Sequence, residues 1–150
     1  MGSITVLVCT LELLGRSASS MPPIKVLALP PTGVSANAEG FVRMDEGIIY
    51  VLASGVAYRQ ADCGDRRSLI KLASVLVHEE WHIRHGGDER GAYEAQLGTL
   101  LRLGAQPDSF VYTGVVRSML SVLKAEERAA ANARRAASTP EGSMAAAAAP

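Results

Sequence analysis

Two histidines four residues apart are the side chains in this sequence best placed to bind one metal ion. His78 and His82 lie in a segment predicted to be helical, and positions four apart on a helix share one face. Both imidazoles can therefore reach the same ion. Glu79 lies about 100° round the helix from His78. That position is off the histidine face but within reach of a water molecule beside the ion, where a general base is needed.

The helix that carries this pair is predicted to begin after the N-cap Asp65 and to end near His85, where Gly86-Gly87 stops it. Its apolar side carries Leu69, Ile70, Leu72, Ala73, Leu76, Val77, Trp81 and Ile83, and its histidine side carries Lys71, Ser74, His82 and His85. The pattern predicts that one side packs on a core and the other faces a cleft. The alternative interpretation is a solvated helix face whose charges form pairs such as Glu80 with Arg84.

A catalytic zinc ion takes three protein ligands and leaves one position open for water, so a further ligand is needed. His85 is seven residues from His78, roughly 10 Å along a straight helix, and fits better as a residue that interacts with the helix dipole. The Gly-Gly turn lets the chain double back and brings the first turn of the next helix to the ion. Glu89 lies in that turn and is the first candidate. Glu94 ranks second, and Asp88 third because it suits the helix cap.

The types and spacing of these residues resemble those of a known group of enzymes. An HExxH motif at residues 78–82, followed by a glutamate on the next helix, resembles the zincin metallopeptidases of the gluzincin type. Residues 89–92, Glu-Arg-Gly-Ala, are similar to the Glu-x-x-Ala pattern of that group, and the resemblance extends over about Leu76 to Gln96. The order of a small sheet, an active-site helix and a glutamate helix is similar to its smallest members. The chain departs from the group at Tyr93, where many relatives have Asp or Asn.

The resemblance implies a zinc-dependent peptidase that hydrolyses peptide bonds in a peptide or protein substrate. Its zinc ligands would be His78, His82 and Glu89. Glu79 would take a proton from a water molecule, and Tyr93 would donate a hydrogen bond to the oxyanion. The alternative is a non-catalytic domain that the same ligands and zinc stabilise, with a structural or protein-interaction role. A structural site usually takes four ligands, often cysteine, and has no use for Glu79.

The whole chain predicts an α+β fold, with a small, partly antiparallel sheet followed by the active-site helix, a glutamate helix and a long C-terminal helix. The expected elements are strands at Ile24–Leu29, Phe41–Met44 and Ile48–Ala53, the last two as a hairpin, and later helices at Glu89–Leu103 and Ser109–Ala137. The segment Ile48–Leu52 is interpreted as a sheet edge to which substrate could add as a strand. The domain is expected to span residues 21–137, between an uncertain segment at 1–20 and a disordered, low-complexity tail at 138–150.

Composition and charge argue against several classes of protein. The 150 residues carry 15 basic and 15 acidic side chains with no basic stripe, so no nucleic-acid partner is expected. No run is long and apolar enough to span a membrane. Ile4–Leu14 resembles a secretory signal only faintly, because no Lys or Arg precedes it and Glu12 lies inside it, so we expect a cytoplasmic rather than a secreted protein. Cys9 and Cys63 are interpreted as ordinary thiols. The oligomeric state is left open.

Overall fold

Short runs of β-branched and aromatic residues form the strands of this fold, and longer runs with apolar residues three and four apart form its helices. The computed structural model describes residues 3–61 and 64–138, and in that part of the chain a three-stranded mixed sheet and five α-helices confirm the α+β prediction. The strands are β1 (Ile24–Leu27), β2 (Gly40–Arg43) and β3 (Ile48–Leu52). The helices are α1 (Ser3–Leu14), α2 (Val56–Gln60), α3 (Arg66–His85), α4 (Glu89–Arg102) and α5 (Phe110–Ser138).

β3 is the central strand of the sheet, parallel to β1 on one side and antiparallel to β2 on the other. The predicted hairpin of β2 and β3 is confirmed, and Gly47 turns it with a φ of 62°. The prediction that residues 48–52 form a sheet edge is wrong. Val51 and Leu52 point to opposite faces of the strand, yet both are fully buried, which is the pattern of a strand covered on both faces. The edges of the described sheet are therefore β1 and β2.

The main core lies between the sheet and α3, and α1 contributes to it. Its buried members are Val6 and Leu11 of α1, Met21, Ile49 and Val51 of β3, Tyr58 of α2, and Leu72 and Leu76 of α3. The sequence predicted no element before residue 21. The structure shows instead that this segment contains a helix, α1, whose apolar side packs with that of α3 and is buried from water. The helix that carries the histidines is thus packed on several elements at once.

The carboxylate of Glu80 on α3 is buried and has two arginine partners. Arg16, which follows α1, donates to one oxygen, and Arg84 donates to the other from Nε at 3.1 Å and Nη2 at 2.6 Å. A buried carboxylate needs such partners because its desolvation is otherwise costly. The Glu80–Arg84 pair named in the alternative interpretation is therefore present, on the side of α3 opposite the histidines, but Glu80 is buried rather than solvated. The contact with Arg16 also fixes the segment after α1 to α3.

Cys9 on α1 is disulfide-bonded, so the interpretation of this residue as an ordinary thiol is wrong. The sequence does not reveal the bond, because α1 meets the rest of the fold only through tertiary packing. Cys63 lies outside the described residues.

The two halves of α5 have different surroundings. Val115 packs with Ile70 and Leu100 in a second, smaller core cluster. From Lys124 to Ser138 every side chain is exposed. Apart from Ser138, the predicted tail lies outside the described residues. Among the helices of the described ranges, none combines the length and the apolar character needed to cross a membrane.

α4 approaches α3 closely at Gly91. A Cβ atom at this position would lie 2.7 Å from Cζ2 of Trp81 and would also overlap the Asp88 carboxylate. Trp81, expected on the core side of α3, is half-buried, and its ring stacks on His85 with 4.0 Å between the centroids. Glycine is therefore required at position 91 for the two helices to pack at this distance.

Two valines of α1 test whether this helix belongs to the core. Val6 is 5% exposed and Val8 is 45% exposed. Val6→Ala is expected to lower the free energy of unfolding by about 2 kcal/mol, since it removes buried methyl groups and leaves a cavity. Val8→Ala, the matched control, should change it by less than about 0.5 kcal/mol. Denaturant unfolding of both variants is the measurement, and equal effects would contradict the packing of α1.

Two glycines of α4 test the helix approach in the same way. Gly91→Ala is expected to lower the free energy of unfolding by about 1–3 kcal/mol, because the added methyl group overlaps Trp81. At Gly98 nothing lies within 4 Å of an added Cβ, so Gly98→Ala should stabilise the helix by up to about 1 kcal/mol. Thermal denaturation of the two variants distinguishes these opposite signs. A stabilising Gly91→Ala would show that the two helices are further apart.

Candidate metal centre

The turn between α3 and α4 is formed by residues whose types favour the end of one helix and the start of the next. Gly86 ends α3 with a φ of 77°, and its N–H donates to the carbonyl of His82 at 2.8 Å. Asp88 is the N-cap of α4, and its carboxylate accepts from the Gly91 N–H at 3.1 Å. Glu89 consequently occupies the first turn of α4, beside the last turns of α3. Both helix limits agree with the sequence prediction to within one residue.

Three side chains converge across this turn. Nε2 of His78 and Nε2 of His82 are 3.2 Å apart, and the oxygens of Glu89 lie 3.7 Å and 3.6 Å from them respectively. A tetrahedral zinc site with ligands at 2.0–2.2 Å separates its ligand atoms by roughly 3.3–3.6 Å. The three observed distances are within a few tenths of an ångström of that spacing. This His-His-Glu group could hold a metal ion, with its potential ligand atoms all within 4.8 Å of one another.

His82 is oriented by the backbone of the turn. Its Nδ1 lies 2.9 Å from the carbonyl oxygen of Gly86, which can only accept, so Nδ1 carries the proton. The lone pair of the neutral ring is then on Nε2, which faces His78 and Glu89. A hydrogen bond of this kind fixes both the tautomer and the direction of a histidine ligand.

Burial keeps the ring of His78 neutral. Desolvation is the main cause that lowers the pKa of His78 to about 4. The charged forms of His82 and Lys71 would act in the same direction, while Gln96 partly opposes the shift. Metals bind the neutral imidazole, so the ring does not have to lose a proton at neutral pH to become a ligand.

Glu79 lies beside the ligand group without belonging to it. Its side chain is 8% exposed, and burial, followed by the negative charge of Glu89, raises the pKa of Glu79 to about 8. A desolvated carboxyl group next to a potential metal site is suited to proton transfer near neutral pH. The 100° offset predicted on the helix thus separates Glu79 from the ligands and leaves it at the same cleft.

Tyr93 contacts the site from α4. Its ring meets that of His78 edge to face, with 4.6 Å between centroids and 77° between planes. Burial is the main cause that raises the pKa of Tyr93, with smaller contributions from Glu89 and Glu79. The phenol therefore keeps its proton at neutral pH and can donate a hydrogen bond.

The other sequence candidates lie away from the ligand group. Glu94 is exposed on α4. Asp88 is used as the helix cap, as the sequence predicted, and His85 is exposed and stacks on Trp81. Among the described residues, Glu89 is the carboxylate that joins the two histidines.

Strand β2 forms one wall of the cleft, which the sequence analysis did not foresee. The cleft has a volume of about 340 Å³, and the β2 side of it is lined by Gly40, Phe41 and Val42, with Met44 just beyond the strand. A Cβ atom at Gly40 would lie 3.7 Å from Cγ of Glu79, so the strand passes directly beside that side chain. No signal in the sequence marks these residues, because the strand next to α3 is determined by the pairing of the whole sheet.

A pair of glutamates on α4 tests the third ligand. Glu89→Gln is expected to weaken zinc binding on the order of 100-fold or more, because an amide is a poor zinc ligand and even outer-shell changes cost about 10–100-fold. Glu94→Gln is the matched control, since its exposed carboxylate lies off the site, and it should bind zinc like the wild type. Competition with a chelating dye measures both affinities. Loss of zinc in the Glu94 variant alone would assign the site to another face of α4.

A comparison of the chain with protein-family models, with curated proteins and with solved structures finds no match in any of the three. The interpretation of the site therefore depends on its own residues and distances.

Proposed function

We propose that this chain is a zinc-dependent metallopeptidase. The observation that carries the proposal is the His-His-Glu group at ligand spacing beside a buried carboxylate, Glu79, that is not part of it. Three ligands leave a tetrahedral ion one open position, and Glu79 borders the same cleft. The HExxH sequence and the glutamate on the next helix, which resemble the gluzincins, agree with this arrangement.

Zinc is the ion that this donor set favours. Two neutral imidazoles and one carboxylate match the His₂Glu sites of zinc peptidases, whereas calcium and magnesium prefer sites made of oxygen ligands. Such a donor set also binds other first-row metals, and their availability decides among them. The ligand spacing of 3.2–3.7 Å is consistent with a small tetrahedral ion.

The chain's own residues supply proton transfer and positioning. A bound zinc ion would act as a Lewis acid that polarises a carbonyl group and acidifies a water molecule. The charge of a bound ion would favour the carboxylate form of Glu79, which would then accept a proton from the attacking water and deliver it to the leaving amine. Tyr93 keeps its phenolic proton and donates a hydrogen bond to the oxygen on which negative charge develops. Glu79 is itself largely removed from bulk water, which strengthens its electrostatic interactions.

The substrate class follows from the wall of the cleft. β2 is an edge strand of the described sheet, and three of its residues line the cleft beside Glu79. An extended peptide can add to a free strand edge through backbone hydrogen bonds, which would place a peptide bond next to the metal ligands. Phe41 and Met44 make the strand side of the cleft apolar, which suits an apolar substrate side chain.

A non-catalytic zinc domain is the second candidate. The observation that favours it is that the ligands come from two helices joined by a short turn, so zinc would hold α3 and α4 together. A non-catalytic role gives no reason for the buried carboxyl group of Glu79, whose charged form is destabilised by burial. We therefore prefer the enzyme.

The disulfide bond of Cys9 is informative about the cellular compartment of the protein. Disulfide bonds persist in oxidising environments and are rare in the cytosol. This favours an oxidising compartment over the cytoplasmic location expected from the N-terminal sequence.

Glu79→Gln distinguishes the two candidates. The substitution preserves size and removes the proton acceptor, so the variant should retain about one zinc ion per chain by the ligand count and lose hydrolysis by about 10²–10⁴-fold. Zinc content is measured by atomic absorption, and cleavage by mass spectrometry on a mixed peptide library. The matched control is Glu94→Gln, which should keep both zinc and activity because its side chain is exposed.

The outcomes separate the hypotheses. Zinc retained by both proteins with cleavage by neither supports the structural domain and overturns the peptidase. Equal cleavage by the wild type and the Glu79 variant would show that Glu79 is not the base. A wild type purified without chelators that contains no zinc overturns the metal centre itself.

A further inference from the structure

We propose that Gln96 is a positioning residue for the metal centre, whose side-chain carbonyl accepts the Nδ1 proton of His78 and so directs Nε2 toward the ion. The inference rests on the proposed function, because it concerns the surroundings of that metal's ligands. Gln96 touches neither substrate nor metal in this role and acts through His78.

The starting point is a buried polar atom. Nδ1 of His78 has no hydrogen-bond partner within the described residues, although almost no solvent reaches it. A histidine that binds a metal through Nε2 carries its proton on Nδ1, and a buried N–H without an acceptor is destabilising. The other histidine of the pair does not have this deficit, because Nδ1 of His82 lies 2.9 Å from the carbonyl oxygen of Gly86.

Gln96 is the side chain on α4 that can supply the acceptor. It is 4% exposed and belongs to one helix face with Glu89 and Tyr93, the three residues being spaced four and three apart. The first two members of that face approach His78, through the 3.7 Å carboxylate contact and the 4.6 Å ring contact. Gln96 is the next member of this face, and its amide contacts Ser74, one turn before His78 on α3.

Ser74 determines which end of the Gln96 amide is available. The Ser74 hydroxyl is fully buried and donates its proton to the Lys71 carbonyl at 2.7 Å, so it can only accept from Gln96. Nε2 of Gln96 donates to it at 3.3 Å. Ser74 lies one turn before His78 on α3, so the amide spans the two positions and its oxygen is the end left for His78.

The test combines zinc affinity with the stability of the metal-free protein. Gln96→Leu keeps the size of the side chain and removes the carbonyl, so zinc binding should weaken by about 10–100-fold in dye competition. The melting temperature of the metal-free variant should stay the same or rise, since a buried amide is replaced by an apolar group. Gln96→Glu restores an acceptor and should bind zinc at least as tightly as the wild type.

Proton NMR of the zinc-loaded protein reports the hydrogen bond directly. The wild type should show two slowly exchanging imidazole N–H signals, from Nδ1 of His78 and Nδ1 of His82. Gln96→Leu should lose the signal of His78 and keep that of His82. The matched control is Gln106→Leu, which replaces an exposed glutamine and should keep both.

The possible failures are distinguishable. A wild type that binds no zinc overturns the metal centre and this inference together. A wild type that binds zinc, with Gln96→Leu binding as tightly or keeping both N–H signals, overturns the positioning role alone. A loss of affinity accompanied by destabilisation of the metal-free protein, without rescue by Gln96→Glu, would assign Gln96 to general packing and would also overturn the proposal.

Discussion

The close approach of α3 and α4 is the constraint on which the site depends. The chain reverses between the two helices within Gly86–Asp88, and Gly91 allows the second helix to lie against Trp81 without a clash. This packing brings the carboxylate of Glu89 to within 3.7 Å of both histidine nitrogens. Ligand atoms that share a small tetrahedral ion are roughly 3.3–3.6 Å apart, so a shift of a few ångströms between the helices would separate them.

The close packing of α3 and α4 also removes water from the side chains of the site. Desolvation lowers the pKa of His78 and raises that of Glu79, so both groups favour their neutral forms. Under the proposed function the two pKa shifts have different consequences, because a neutral imidazole can bind a metal and a carboxyl group with a raised pKa can exchange a proton near neutrality. The positive charge of a bound ion would act on Glu79 in the opposite direction and favour its carboxylate form. On the far side of α3, Arg16 and Arg84 stabilise the buried charge of Glu80 and hold this helix in place.

The sequence by itself determined the local features of the site. Asp65 and Asp88 cap their helices and Gly86 ends α3, because each signal acts within one turn of the backbone. The four-residue spacing determined that the histidines share a face and that Glu79 does not, since helix geometry alone fixes those directions. The preference for Glu89 over Glu94 as the third ligand followed from helix geometry as well, because Glu89 lies in the first turn after the short reversal between the two helices.

Only the tertiary structure decided which distant segments meet at the site. The central place of β3, and with it β2 as the wall of the cleft, depends on strand pairing between residues that no local pattern connects. The disulfide at Cys9 and the packing of α1 on α3 depend on how whole elements assemble. The contact of Gln96 on α4 with Ser74 on α3 likewise requires the angle and distance between two helices. Such contacts follow from burying the apolar sides of all the elements together, and that is a property of the complete fold rather than of any one segment.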